Sequence, residues 1–246
     1  MAGGSVAGPA VASVQRANDE KEIYEWRVYH FKNNGQKNKV GEFYQNALIP
    51  AMNEFGVNVG AFGEYGQSEP PVVFYLFVYP SISEFQRIKN AIWNNENYLQ
   101  KSKAYFDETV ENGTYTRFET YLLEAFDTIP KLRLPFKERG LFELRTYESN
   151  NEEAGQRKIK MFNRDELALF DKVGLHATFF GEILAGPQMP ALIYMLWFKD
   201  MDERTENWKK FVSSPEWNEM KARPEYANTV SVVNKQFLVP LDYSQI

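Results

Sequence analysis

Two short stretches decide the fold of this chain: "YEWRVYHF" at residues 24–31 and "FELRTYES" at residues 142–149. In both stretches Glu, Arg and Tyr occupy every second position. Because residues two apart lie on one face of a β-strand, each stretch predicts a strand with one charged and aromatic face and one mainly apolar face. The charged faces consist of Glu25, Arg27 and Tyr29 in the first stretch and of Glu143, Arg145 and Tyr147 in the second.

The two stretches belong to a longer internal repeat. With an offset of 118 residues, residues 23–64 align with 141–182 without a gap, and 8 of the 42 aligned pairs are identical. A period this long exceeds solenoid repeats and indicates a duplicated domain. We therefore expect four segments: a disordered tail at 1–20, a first domain at 21–126, a linker at 127–140 and a second domain at 141–246.

Each copy predicts the same order of elements. After the opening strand, apolar residues recur at helical spacing between residues 40 and 55 and stop at Gly56, which suits a left-handed helix cap. The runs at 72–79 and 191–198 are apolar on both faces, which is typical of a strand inside a sheet. Capped helical segments follow in both copies, and last strands are expected near 117–124 and 232–239.

The resulting order β-α-β-β-α-β is that of the ferredoxin-like unit, whose two helices cover one sheet face and leave the other bare. Two such units in one chain can bury their bare faces against each other. We therefore predict an α+β fold in which two ferredoxin-like halves form an intramolecular version of the dimeric α+β barrel.

The composition favours a soluble globular chain. Hydrophobic residues make up 43%, and the longest apolar run is far shorter than the roughly 18 residues that a membrane span needs. The net charge is −5, and the 28 basic residues form no stripe, so nucleic acid is not expected as a partner. The absence of cysteine excludes disulfides and thiolate chemistry. Cytoplasmic and exported locations both stay open, as does homo-oligomer formation.

The opening pattern of each copy resembles the strand signature of the NIPSNAP family, and "WKKFVSSPEWNEMKA" at residues 208–222 resembles that family's Trp-rich helical segment. The resemblance spans nearly all of the chain after residue 22. The first copy departs from it at "IWNNENY", where Tyr98 replaces the expected Trp. The resemblance implies a dimeric α+β barrel and no settled reaction. Related barrels include small monooxygenases and isomerases, which is an analogy of fold.

The repeated polar rows are the candidate ligand-binding residues. If Trp26, Val28 and Leu144 face the helices, the rows point into the barrel between the two sheets. There they form either a structural network, in which the arginines satisfy buried carboxylates, or the lining of a ligand cavity. The candidate interior residues are Glu25, Arg27, Tyr29, Glu64, Tyr75, Glu143, Arg145, Tyr147, Glu182 and Tyr194.

Two acidic residues in this set suggest a further hypothesis, a general base inside the barrel. Glu64 and Glu182 both follow a Phe-Gly pair, and if they point inward, arginine is the expected partner. An excess of carboxylates in a closed barrel would raise at least one pKa and could create a general base.

Other motifs predict no chemistry. The two histidines lack a partner at ligand spacing, so no metal is predicted, and no cofactor motif occurs. Four tryptophans, Trp93, Trp197, Trp208 and Trp217, are interpreted as core or helix-packing residues.

The sequence leaves three functions open. The first is binding of a small molecule in the barrel cavity. The second is a cofactor-free isomerase or monooxygenase-like enzyme in the same cavity, for which a carboxylate without a basic partner would be the sign. The third is a protein-interaction scaffold, which a filled barrel would favour.

Overall fold

The computed structural model describes residues 21–66, 68–135 and 140–246. The predicted tail, residues 1–20, lies outside these ranges. The first half contains β1 (Ile23–His30), α1 (Asn34–Phe43), α2 (Ile49–Glu54), β2 (Asn58–Glu64), β3 (Val72–Tyr79), α3 (Ile82–Ala91), α4 (Glu96–Phe106) and β4 (Arg117–Ala125). The second half contains β5 (Leu141–Glu148), α5 (Glu152–Met161), α6 (Leu167–Val173), β6 (His176–Ala185), β7 (Ala191–Phe198), α7 (Met201–Ser213), α8 (Pro215–Lys221) and β8 (Val232–Pro240).

The strands form one closed antiparallel barrel in the order β1-β3-β2-β8-β5-β7-β6-β4. Each half contributes a four-stranded sheet, β4-β1-β3-β2 or β8-β5-β7-β6, and the sheets join edge to edge through the pairs β2–β8 and β4–β6. The prediction of two ferredoxin-like halves in one intramolecular α+β barrel is confirmed. Among the described helices, none combines the length and apolarity that a membrane crossing requires.

Local sequence signals explain where the first helices begin and end. Asn33 and Asn151, an identical pair of the repeat, cap α1 and α5, each accepting a backbone N–H three residues on. Gly56 (φ 76°) and Gly174 (φ 80°) take the left-handed conformation that the repeat predicts for the helix end.

A π-helical turn divides the long helix of each half at equivalent positions. It spans Tyr44–Leu48 in the first half and Phe162–Glu166 in the second, an offset of 118 residues. The sequence pattern did not predict this turn, which places Tyr44 and Phe162 fully inside their helix–sheet layers. The duplication therefore extends to an irregularity of the backbone.

The segments that follow β4 and β8 cross to the opposite half. Arg133 of the linker donates its backbone N–H to Thr178 in β6. In the same way Leu241, beyond β8, donates to Ala61 in β2, and the side chains of Ser244 and Gln245 accept backbone N–H groups of the same strand. Strand edges that the barrel pairs leave open are covered by these crossing segments.

The barrel interior is a packed apolar core with side chains from both halves. It contains Trp26, Phe62, Phe74 and Leu76 from the first half together with Phe142, Leu144, Phe179 and Met195 from the second. Two further cores lie between each sheet and its own helices. The molecule thus has three apolar layers, one inside the barrel and one under each helical cover.

The predicted orientation of β1 and β5 is wrong. Trp26 and Leu144 face the barrel interior, whereas the rows that contain Arg27 and Arg145 face the helices. Both faces of these strands are buried, and the helical layers hold enough tyrosine and carboxylate partners to satisfy the arginines. The larger aromatic and aliphatic side chains fill the space between the sheets, where few polar partners are available.

Candidate functional site

A cavity of about 370 Å³ lies between the first-half sheet and its helices. Its floor is formed by β1 and β3, and its walls by α1, α2, α3, α4 and the start of β4. Eleven of its eighteen lining residues are aromatic. They are Tyr29, Phe43, Phe77, Tyr79, Phe85, Trp93, Tyr98, Tyr105, Phe106, Tyr115 and Phe118.

The cavity opens at a partly exposed aromatic rim. Trp93 is 57% exposed, Phe106 41% and Phe118 40%, although all three line the cavity. Deeper in, Phe43 and Tyr105 stack with ring centroids 4.0 Å apart. A flat apolar molecule entering here would therefore meet ring faces from the mouth to the floor.

The charged floor consists of an ion pair between neighbours on one face of β1. Arg27 holds Glu25 with two bonds, Nε to Oε1 at 2.7 Å and Nη2 to Oε2 at 3.0 Å. The hydroxyls of Tyr79 and Thr120 donate to the same carboxylate at 3.1 and 3.3 Å. Although burial lowers it, the Glu25 carboxylate raises the pKa of Arg27 well above its usual range. Arg27 is thus protonated, and both oxygens of the Glu25 carboxylate accept hydrogen bonds.

Tyrosines complete this network. Arg27 also donates from Nη1 to the Tyr44 hydroxyl at 3.3 Å, which in turn donates to Tyr29 at 3.2 Å. The guanidinium lies 4.3 Å from the centre of the Phe77 ring. Burial, followed by the Glu25 carboxylate, raises the pKa of Tyr79, so its hydroxyl remains a donor at neutral pH.

The second half builds a different network on the equivalent row. Glu143 accepts two bonds from Arg204, at 2.8 and 2.9 Å, and one from the Trp208 indole N–H at 2.7 Å. Arg145 donates to the hydroxyls of Tyr147 and Tyr194 and lies 4.2 Å from the centre of the Trp208 ring, while its Nε forms an ion pair with Glu143 Oε1 at 3.2 Å. Burial raises the pKa of Tyr147 to about 12.

The remaining predicted site residues lie apart from the cavity. Tyr75 is buried against Tyr44, with ring centroids 3.5 Å apart, and its hydroxyl bonds that of Tyr243. Glu64 accepts a hydrogen bond from Ser68, and Glu182 accepts one from Gln156 at 2.6 Å. Among the described residues, neither acid forms an ion pair with an arginine, which was the partner expected if they pointed inward.

The sequence reasoning missed most of the cavity. The six aromatics at its mouth and far wall lie between residues 93 and 118, where the first half has the longer α4, Glu96–Phe106 against Pro215–Lys221. This aromatic density has no counterpart in the second copy and could have indicated the site. Trp93 packs on rings of α4, as interpreted, but is also the most exposed part of the rim.

Within the described residues, no cluster of three or more His, Cys, Asp or Glu side chains could hold a metal ion. The polar groups that line the cavity are tyrosine hydroxyls, the paired Glu25 and Arg27, and the ammonium of Lys89.

Residues 142–245 match the NIPSNAP family model, so the resemblance seen in the sequence is confirmed for the second half of the chain. No curated protein sequence matches the chain.

Two solved structures share the fold over most of the chain, and a third aligns with less than half of it. A protein of Fusobacterium nucleatum, provisionally named a monooxygenase, aligns with a TM-score of 0.57 at 9% identity, covering 90% of this chain and 93% of its own. A similarly named protein of Lactobacillus acidophilus gives 0.57 at 10%, covering 90% and 94%. A NIPSNAP family protein of unknown function from Agrobacterium tumefaciens gives 0.40 at 17%, covering 44% of this chain and 93% of its own.

Proposed function

We propose that this chain, whose second half matches the NIPSNAP family model, binds a small aromatic molecule in the cavity of its first half. The observation that carries the proposal is an open cavity of about 370 Å³ whose lining is mostly aromatic. Ligand sites in proteins are typically concave and mainly apolar, with volumes of roughly 300 to 1,000 Å³. The cavity lies within this range and opens to solvent at the aromatic rim.

Apolar burial supplies the driving force for such binding. Moving apolar area out of water contributes about 25 cal/mol per Å². A two-ring ligand covered by Phe43, Tyr105 and Trp93 would also form ring contacts of roughly 0.5 to 1.5 kcal/mol each. Because strands and helices with buried side chains hold most of the lining, little ordering is needed on binding.

The state of the charges favours binding over catalysis. A general base requires a carboxylate that is free to accept a proton, whereas Glu25 already accepts from Arg27, Tyr79 and Thr120. The cofactor-free isomerase or monooxygenase-like alternative rests on the names of proteins that share only the fold. The filled barrel interior fits the scaffold alternative, but the open cavity under the helices needs a different explanation.

The proposal can be tested with N-phenyl-1-naphthylamine, a neutral aromatic probe whose fluorescence rises in apolar surroundings. We expect wild-type protein to enhance this fluorescence with saturation at one probe per chain. Ile88→Trp places a large ring in the cavity wall and should remove the enhancement. Ile82→Trp on the same helix, at a position that is 42% exposed and outside the lining, is the matched control and should retain it.

Circular dichroism of both variants verifies that each is folded. Equal enhancement by Ile88→Trp and the wild type would place the probe elsewhere and contradict the proposal. Native mass spectrometry of the purified protein provides a second readout, in which a retained aromatic compound should be absent from the folded Ile88→Trp variant. Retention of the same compound by both would also contradict the proposal.

A further inference from the structure

The two helical covers differ at two positions that face the polar rows. Helices α3 and α7 begin at equivalent caps, Ser81 and Asp200, so the repeat aligns Phe85 with Arg204 and Lys89 with Trp208. At these two positions the first half thus has a phenylalanine and a lysine, whereas the second half has an arginine and a tryptophan.

In the second half these two side chains cover the polar row. Arg204 holds both oxygens of Glu143, and the Trp208 ring lies against Arg145 while its N–H donates to Glu143. The Glu143 side chain is 0% exposed as a result. The second half therefore supplies its own aromatic ring to the face of its arginine.

In the first half the Arg27 guanidinium lies over the Phe77 ring of the cavity floor, 4.3 Å from its centre, and no ring of α3 covers it, so Arg27 also lines the cavity. The Arg27 side chain is 22% exposed, against 11% for Arg145. Phe85 turns to Tyr79 instead, with ring centroids 5.1 Å apart, and does not cover Arg27 as Trp208 covers Arg145. The volume that a tryptophan fills in one half is thus left as cavity in the other.

The hydrogen bonds already made to Glu25 determine which polar groups a ligand in the cavity needs. Glu25 receives from Arg27 and Tyr79 the donors that Glu143 receives from Arg204 and Trp208. An occupant of the first-half cavity consequently needs no donor at its inner end, because a satisfied carboxylate gains nothing from a further one. An apolar ring against Arg27 suffices there.

The outer end of the cavity has a different requirement. Lys89 lines it, is exposed, and forms no ion pair with any residue in the described ranges. With Glu25 and Arg27 neutralising each other, the ammonium of Lys89 is the remaining charge of the lining. An anionic group on the occupant would complement it.

We propose, building on the proposed function, that the ligand is a flat aromatic carboxylate whose ring takes the place against Arg27 that Trp208 takes in the second half and whose carboxylate faces Lys89. In the second half Trp208 itself fills the position that the ligand ring takes in the first half. The chain therefore binds one ligand.

Calorimetric titration with 2-naphthoate and with its neutral amide, 2-naphthamide, tests the charge requirement. We expect one equivalent of either compound to bind the wild type, with the carboxylate tighter by up to about fivefold at low salt, the range of an exposed ion pair. Lys89→Gln should abolish this preference, so that the carboxylate and the amide bind with equal affinity. Equal or weaker binding of the carboxylate to the wild type would overturn the anionic assignment.

Copying the second half onto the first tests the position of the ring. Lys89→Trp, and Phe85→Arg with Lys89→Trp, should abolish binding of both compounds while circular dichroism stays unchanged. Lys101→Trp, at an exposed position of α4 outside the lining, is the control and should bind as the wild type does. Undiminished binding by folded Lys89→Trp would overturn the inference about the ring.

The two proposals fail in different ways. If 2-naphthamide and N-phenyl-1-naphthylamine bind in the cavity but the carboxylate shows no preference, the inference fails and the proposed function stands. If no probe binds the wild type, the proposed function fails with it.

Discussion

Arg27 and Arg145 lie at equivalent positions of the repeat but have different main interaction partners. Arg27 is the main ionic partner of Glu25, whereas Glu143 receives most of its bonds from Arg204 and Trp208. Arg145 makes its hydrogen bonds to two tyrosine hydroxyls. The same residue type in the same register thus has a different energetic role in each half.

We expect Arg27→Met to lower the free energy of unfolding by about 3 to 5 kcal/mol, because Glu25 would remain buried without its counter-charge. Arg145→Met should cost less, about 1 to 2 kcal/mol, since Glu143 keeps its bonds from Arg204 and Trp208 when its ion pair with Arg145 is lost. Urea denaturation of both variants measures the difference. Arg204→Met is the comparison within the second half: it removes two hydrogen bonds to Glu143 while Arg145 stays beside that carboxylate, and it should cost more than Arg145→Met and less than Arg27→Met. Equal costs for Arg27→Met and Arg145→Met would contradict this division of roles.

At the scale of elements, the long helix of each half presents a different chemistry to the same sheet. In the second half, Lys158 on α5 and Glu166 at the π turn form a buried ion pair at 2.5 Å. The repeat aligns these residues with Val40 and Leu48, which are buried apolar residues. Burial raises the pKa of Glu166, although Lys158 opposes the shift. The first half therefore shows that this helix packs without an ion pair.

The double variant Lys158→Val with Glu166→Leu, which copies the first half, should be as stable as the wild type or more stable by about 1 to 4 kcal/mol. Glu166→Leu alone should cost about 3 to 5 kcal/mol because it leaves Lys158 buried without its partner. Chemical denaturation of the three proteins gives both values. A double variant less stable than the single one would show that the pair is needed for packing.

The same pair predicts a dependence on pH. A carboxyl whose pKa is raised by folding contributes stability below its unfolded pKa of 4.5 and loses it as the pH rises through the folded value. The stability of the wild type relative to the double variant should therefore fall as the pH rises above 4.5. Thermal unfolding of both proteins between pH 4 and pH 8 measures this, and a relative stability that rises with pH would contradict the assignment.

At the scale of the whole molecule, neither sheet is complete alone. The pairs β2–β8 and β4–β6 close the barrel, and its apolar interior takes side chains from both halves. A half removed from the chain would expose two strand edges and one apolar sheet face. The division at 21–126 and 141–246 thus separates repeats of one sequence, and we propose that it does not separate independent folding units.

We predict that residues 141–246 expressed alone form a homodimer, because two copies can rebuild a closed barrel with the same edge pairs. Size-exclusion chromatography with light scattering should give twice the monomer mass at micromolar concentration, with loss of structure on dilution. A stable, folded monomer would contradict the prediction. The full chain at the same concentration is the reference for a barrel closed within one molecule.

The duplication, the order of elements and the helix ends could be predicted from the amino-acid sequence. These depend on local chemistry: Asn33 and Asn151 cap helices through their own side chains, and Gly56 and Gly174 adopt a backbone conformation that other residues resist. The strands β3 and β7 could also be predicted from the sequence, because a strand that is buried on both faces is apolar on both faces.

The face of β1 that meets the helices and the location of the cavity could not be predicted from the sequence and are seen only in the tertiary structure. Both faces of that strand are buried, so the alternation of residues distinguishes two faces without showing which one meets the helices. The orientation depends on how the second sheet closes over Trp26, on Tyr44 of the π-helical turn, which accepts from Arg27, and on Tyr79 of β3, which donates to Glu25. The cavity is lined by Phe85 and Lys89 of α3, at the positions where α7 has Arg204 and Trp208. Such a volume depends on contacts between residues distant in sequence, and no pattern along a single strand or helix contains that information.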